Sequence, residues 1–188
     1  MDIQQTLINA CIKGERRAEY ELYKACYSYL MSICLRYTRS EDKAREMLNI
    51  GFYRIISNLE KFNGTEAFKP WARKVMVNAL INEYKKEKIH YGNHHYVEEY
   101  FDNDQYAGMN SAVNKLDADR IYGFIARLPA ASQQVFNLYF IDGYKHKEIS
   151  DMLGISEGTS KWHLNYARER LKEMLKEIDV PINISDNE

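Results

Sequence analysis

Leu22, Cys26, Leu30, Ile33 and Tyr37 follow one another at intervals of four, four, three and four residues. That spacing stacks side chains on one face of an α-helix. The same period returns in Ala44, Met47, Leu48, Phe52, Ile55, Ile56 and Leu59, and again in Phe68, Trp71, Ala72, Val75, Met76 and Ala79. A chain patterned this way buries its apolar groups by packing helix on helix. Only three prolines and nine glycines punctuate the 188 residues, too few for a turn-rich β fold. Ser40 caps the second of these helices, with Glu41 and Asp42 in its first turn where the helix dipole favours negative charge. Asn63-Gly64-Thr65 breaks the pattern, and Pro70 lies in the first turn of the third helix, where its missing N–H costs nothing.

Periodicity fades from Tyr91. The stretch to Lys115 is polar and acidic, contains Gly92 and Gly108, and reads as a linker over 91–116, although its five Tyr or Phe residues exceed what a spacer needs. Helices are then predicted over Asp117–Leu128, ending before Pro129, and over Ser132–Ile141, ending at Asp142-Gly143. A short helix over Lys145–Leu153, a turn at Gly154-Ile155-Ser156 and a long helix from Glu157 to about Ile178 give a helix-turn-helix outline. The expected fold is all-α, with two helical domains joined by a flexible acidic linker: 1–90, the linker 91–116, the helix-turn-helix domain 117–178, and a tail 179–188.

Several classes are excluded. Apolar runs of a few residues fall far short of the roughly 20 that span a bilayer. The start Met1-Asp2-Ile3-Gln4-Gln5 lacks the basic and apolar regions of a signal peptide. Neither a membrane-spanning nor a secreted protein is expected. Cys11, Cys26 and Cys34 are odd in number and form no Cys-x-x-Cys, which fits reduced cytosolic thiols.

The formal net charge of −1 conceals a division along the chain. Lys69 to His90 carries six basic residues against two acids, and Lys145 to Lys176 seven against five. Tyr91 to Asp119 carries six acids against one lysine. Two basic lobes joined by an acidic strap suit a partner with a phosphate backbone. If Ser160, Leu164, Ala167 and Leu171 face inward on the last helix, the outward face shows Thr159, Trp162, His163, Tyr166 and Arg170, flanked by Lys161 and Arg168. Donors and apolar atoms at the start of such a helix are what base edges in a major groove require.

The stretch LPAASQQVFNLYFIDGYKHKEISDMLGISEGTSKWHLNYARERL resembles the C-terminal promoter-binding domain of bacterial RNA polymerase sigma factors, in particular the extracytoplasmic-function (ECF) class. The likeness rests on Leu128-Pro129, Lys147-Glu148-Ile149, the run Gly154 to Lys161, Ala167-Arg168 and Leu171. RYTRSEDKAREMLNIGFYRI and FKPWARKVMVNALINEYKKEK resemble the central helices of the N-terminal sigma domain, in the family's order. The resemblance implies a transcription initiation factor with no catalytic residues, cofactor, metal or small-molecule substrate. It implies RNA polymerase core and promoter DNA as partners, a cytoplasmic location, and an anti-sigma partner, often membrane-anchored.

Residue by residue, it implies core binding through Glu46, Asn49, Phe52 and Tyr53. It assigns binding of the melted −10 element to Asn63, Gly64, Thr65, Lys74, Asn78, Asn82 and Lys85, with a flipped base captured at the Asn63-Gly64-Thr65 loop and the helix of Asn78, and the lysines nearby for phosphates. It assigns the −35 element to Thr159, Lys161, Trp162, His163, Tyr166 and Arg170. An extruded base offers its edge to an amide and its face to apolar groups, which suits Asn78.

Departures from the family are specific. Ala44-Arg45-Glu46-Met47-Leu48-Asn49 stands where Ala-x-Asp-x-x-Gln is usual, and Ile50 follows where an acid is common. Asn82 replaces an Asp. His163 and Tyr166 occupy positions often held by Arg, shifting weight from salt-dependent contacts to aromatic readout. Ser160 replaces a Val and is expected to bond a carbonyl one turn earlier. About 25 linker residues reach at most about 80–90 Å, enough for promoter elements roughly 50–70 Å apart. The linker's acidity resembles that of the family segment that threads the polymerase channels.

Two other readings compete. His90, His94 and His95 followed by Glu98, Glu99, Asp102 and Asp104 are potential metal ligands, but in a segment with no core around it and with no nucleophile or phosphate-loop motif beside it. A helix-turn-helix regulator without initiation activity would share the second half alone.

Overall fold

The computed structural model describes residues 3–64, 67–90 and 122–176, and all of its regular structure is helical. The chain divides into two compact units, Met1–Val97 and Glu98–Glu188. The predicted linker over 91–116, the tail over 179–188, Thr65 and the His/Asp/Glu series from His94 to Asp104 lie outside the described residues.

In the first unit, α1 (Gln5–Ile12), α2 (Arg16–Tyr37), α3 (Glu41–Ser57) and α4 (Phe68–His90) form a bundle, with a 3₁₀ turn over Leu59–Lys61. Helix α2 packs on α3 and α4, α3 on α4, and α1 on α2 and the 3₁₀ turn. Ser40 accepts a hydrogen bond from the Lys43 N–H at 3.2 Å, the N-cap expected there. Leu22, Leu30, Ile33, Met47, Leu48, Ile55, Leu59 and Met76 are all but fully buried. Each contributes roughly 1.5–3 kcal/mol through apolar burial. Helix α4 buries Phe68, Ala72, Met76 and Ala79 of the expected stripe and Val77, Leu80 and Ile81 besides, while Trp71 and Val75 are half-buried.

Cys11, Cys26 and Cys34 are free thiols in this core, and burial pushes Cys26 and Cys34 up to about 12. They stay protonated and unreactive. Sequence period gave no sign of α1, because its eight residues offer only Ile8 and Cys11 to the core.

The second unit begins, among described residues, with helical residues 122–126 (α5). Helix α6 (Ala130–Phe136) continues as a π-helical stretch over Asn137–Ile141, followed by α7 (His146–Leu153) and α8 (Glu157–Lys176). Ile125, Leu128, Ala167 and Leu171 form the core, with Phe124, Phe136 and Ile141 packed against it. An ordinary helix was expected to Ile141. Instead the Asp142 N–H reaches back to the Asn137 carbonyl at 2.9 Å, and this wider winding leaves Tyr139 and Phe140 exposed. The stretch closes at Gly143, whose φ of +76° is the left-handed conformation glycine takes without strain.

Candidate nucleic-acid interface

Helices α7 and α8 are joined by Gly154-Ile155-Ser156. Gly154 ends α7 in the left-handed region, at φ 66° and ψ 42°, and lets the chain reverse within one turn. The Lys145 N–H donates to the Glu148 carboxylate at 2.8 Å at the start of α7. Ser156 caps α8, accepting from the Thr159 N–H at 3.0 Å.

The burial pattern of α8 fixes which residues look outward. Ser160, Leu164, Ala167, Leu171 and Met174 are buried. Gly158, Thr159, Lys161, Trp162, Asn165 and Glu169 are exposed, with Trp162 at 57%. This exposed stripe is rotated from the expected one. His163 is half-buried, and its Nδ1 pairs with the Ser132 hydroxyl on α6 at 3.0 Å. Arg170 is also half-buried and binds Glu173 at 2.8 Å. Thr159 is exposed, but its hydroxyl pairs with Ser156 at 2.8 Å. Tyr166 is half-buried and stacks on Trp162, with centroids 5.5 Å apart and planes at 20°. The exposed side chains are therefore Thr159, Lys161, Trp162, Asn165 and Glu169, with Tyr166 half-buried against Trp162, and Asn165 is not among the expected ones. Nor does Ser160 bond a carbonyl one turn back: its hydroxyl pairs with Nδ1 of His146 at 2.9 Å.

A second exposed stripe runs along α4. Lys74, Asn78 and Asn82 are exposed and Lys85 is half-buried, at intervals of four, four and three residues. Asn63 and Gly64 are exposed in the preceding loop, Gly64 with a φ of +70°. Phe62, Phe68 and Trp71 form a three-ring cluster with centroids 5.3–5.6 Å apart, fixing Phe62 against the start of α4. Trp71 is half-buried at the head of the stripe, in contact with the core and with solvent.

Glu46, Asn49 and Tyr53 are exposed along α3, and Phe52 is half-buried beside them. Tyr53 is 72% exposed. Helix α2 adds rings to this face. Tyr23 meets Phe52 edge to face at 5.0 Å and Tyr27 at 5.7 Å, and its hydroxyl donates to the Asn49 side-chain oxygen at 3.2 Å. The α2 period marks Leu22 and Cys26 as core and is silent on their neighbours. Lys43 pairs with Glu46 at 3.2 Å and with Glu87 of α4 at 2.9 Å, pinning α3 to the far end of α4.

No group of three metal-ligating side chains occurs among the described residues, and none of their helices is long and apolar enough to cross a membrane.

Comparison with known proteins matches two family descriptions. Residues 22–89 match Sigma-70 region 2, and residues 118–171 match Sigma-70, region 4. The ECF RNA polymerase sigma factor SigM of Bacillus subtilis is 25% identical over 163 residues, covering 82% of this chain and 91% of that protein. SigM of Mycobacterium tuberculosis is 23% identical over 178 residues, covering 95% and 87%. Among solved structures, the sigma factor RpoE from Bartonella quintana in complex with the anti-sigma factor NepR is similar in fold. Its TM-score is 0.51 at 18% identity, over 86% of this chain and 98% of that one.

Proposed function

This chain belongs to the sigma-70 family, in its ECF class, and is a transcription initiation factor; from that premise we infer that its two units divide promoter recognition between them. The first unit, over 1–90, clamps polymerase core through Glu46, Asn49, Phe52 and Tyr53. It also takes the melted −10 strand along Asn63, Gly64, Thr65, Lys74, Asn78, Asn82 and Lys85. The second unit, over 117–178, lays α8 in the major groove of the −35 element, with Lys161, Trp162 and Tyr166 toward the DNA. His163 and Arg170 support that face from its edge, and Thr159 fixes the start of the helix. The acidic segment 91–116 spans the distance and occupies the polymerase channels. The protein acts by binding rather than by bond chemistry, in the cytoplasm where polymerase and promoter meet.

The observation that carries this reading is the exposed Trp162, stacked on Tyr166 directly after a glycine turn. An exposed indole lying parallel to a tyrosine ring at the start of such a helix suits apolar contact with base edges in a major groove. The aromatic face of Tyr23, Tyr27, Phe52 and Tyr53 suits a protein helix from core. An anti-sigma partner competing for the same surface would hold the factor inactive, in keeping with the complex in which the Bartonella quintana relative was solved.

The test uses Lys161→Ala, Trp162→Ala and Tyr166→Ala in holoenzyme. Each should weaken −35-dependent promoters by about 1–3 kcal/mol while core affinity stays unchanged. Full activity of all three would put a different face against DNA.

A further inference from the structure

The exposed stripe of α8 changes in chemistry along its length. Glu157 and Gly158 are exposed where it begins, an acid in the first turn and a residue with no side chain. Trp162 and Asn165 follow one turn apart, and the next outward residue is Glu169, whose carboxylate binds Lys172 at 3.2 Å. A carboxylate is repelled by phosphate, so the part of α8 that can enter a groove closes after Asn165.

Within that window two polar groups are already engaged inside the unit. The Thr159 hydroxyl is paired with Ser156, and Nδ1 of His163 with Ser132. Lys161 lies at the edge of the stripe, where a cation meets phosphate. Asn165 presents an exposed amide with no hydrogen bond to another described residue. Trp162 presents an indole held parallel to Tyr166.

A carboxamide carries a donor and an acceptor in one plane, the complement of the N7 acceptor and N6 donor on adenine's major-groove edge. An immobilised apolar ring suits the 5-methyl of thymine. We propose that Asn165 is a specificity-determining residue of the −35 reader, taking adenine, with Trp162 against a thymine methyl beside it. The inference rests on the reading of α8 as the DNA-facing helix.

The experiment is promoter selection by holoenzyme from a library randomised over the −35 region, with the −10 region randomised in a second pool. Wild type should enrich adenine at one −35 position. Asn165→Ala should lose that preference alone, by roughly 5- to 150-fold, keeping the other −35 positions and all −10 positions. Asn165→Asp, which only accepts, should shift the preference at that position toward cytosine. On a promoter with 7-deazaadenine at that position, wild type should lose affinity and Asn165→Ala should not. An Asn165→Ala profile identical to wild type, or weakened equally at every position, overturns the proposal. A wild-type pool enriched at −10 but flat throughout −35 would instead overturn the placement of α8 on DNA, and the proposal with it.

Discussion

Nδ1 of His146 and the hydroxyl of Ser160 lie 2.9 Å apart, tying the first turn of α7 to the first turn of α8. Tyr139 stacks on the His146 ring at 4.7 Å. The angle at which α8 leaves the turn is thus fixed by a polar pair between helices, with Ser160 fully buried. Ser160→Ala leaves a half-buried ring nitrogen without this partner and should destabilise the second unit by about 1 kcal/mol. Amide hydrogen exchange over 146–176 in the full chain measures this. Unchanged protection would mean that apolar packing alone sets the helix angle.

The burial of His146 in this pair makes the second unit sensitive to acid. Burial, and after it the neighbouring Lys161 ammonium, hold His146 below its ordinary 6.5. The unfolded chain therefore takes up the proton more readily than the folded one. This contribution to stability is complete above 6.5 and is lost progressively as pH falls from there toward the folded value. Exchange protection of the second unit should fall as the pH drops below about 6.5, and His146→Gln should flatten the change. A rise in protection on acidification contradicts the assignment, as does an equal fall in the variant.

The helical stripes of α2, α3, α4 and α8, the Ser40 cap and the glycine turn at 154 were legible in the sequence, because period and capping chemistry are local. The outward face of α8 was legible only to within part of a turn. Period identifies Ser160, Leu164, Ala167 and Leu171 as inward but not which flank a neighbour covers. Here α6 covers the His163 flank through Ser132, and Asn165, two residues on and round the helix, is left exposed. Tyr23 escaped notice for the same reason: its partners Phe52 and Asn49 lie on another helix.

Gly51 of α3 lies directly against Met76 of α4. A Cβ there would run into the Met76 thioether, which is fully buried and 3.6 Å from the Cys34 sulfur. Gly51→Ala should destabilise the first unit by about 1–3 kcal/mol, and Met76→Ala in the same chain should recover part of that loss. Urea unfolding followed by exchange in α3 and α4 reads the effect. Wild-type stability in Gly51→Ala would show that Met76 moves aside at no cost.

Asn78 stands exposed in the middle of the α4 stripe, between Lys74 and Asn82. If it holds a flipped base, Asn78→Ala should slow open-complex formation by about 1 kcal/mol or more and leave initial duplex binding intact. A promoter with a pre-melted bubble, compared with the same promoter as duplex, separates the two steps. A loss confined to one −10 base identifies the base held. Equal losses on all sequences would assign Asn78 to phosphate positioning instead.

The central claim is that this chain directs initiation and does not merely occupy DNA. Run-off transcription with purified core polymerase tests it, on promoters recovered by sequencing the DNA that reconstituted holoenzyme binds. Core alone should give no specific transcript, and adding the chain should give one start site whose use falls when either the −35 or the −10 element is replaced. Duplex binding by the chain without core, with no transcript after core is added, would contradict the account.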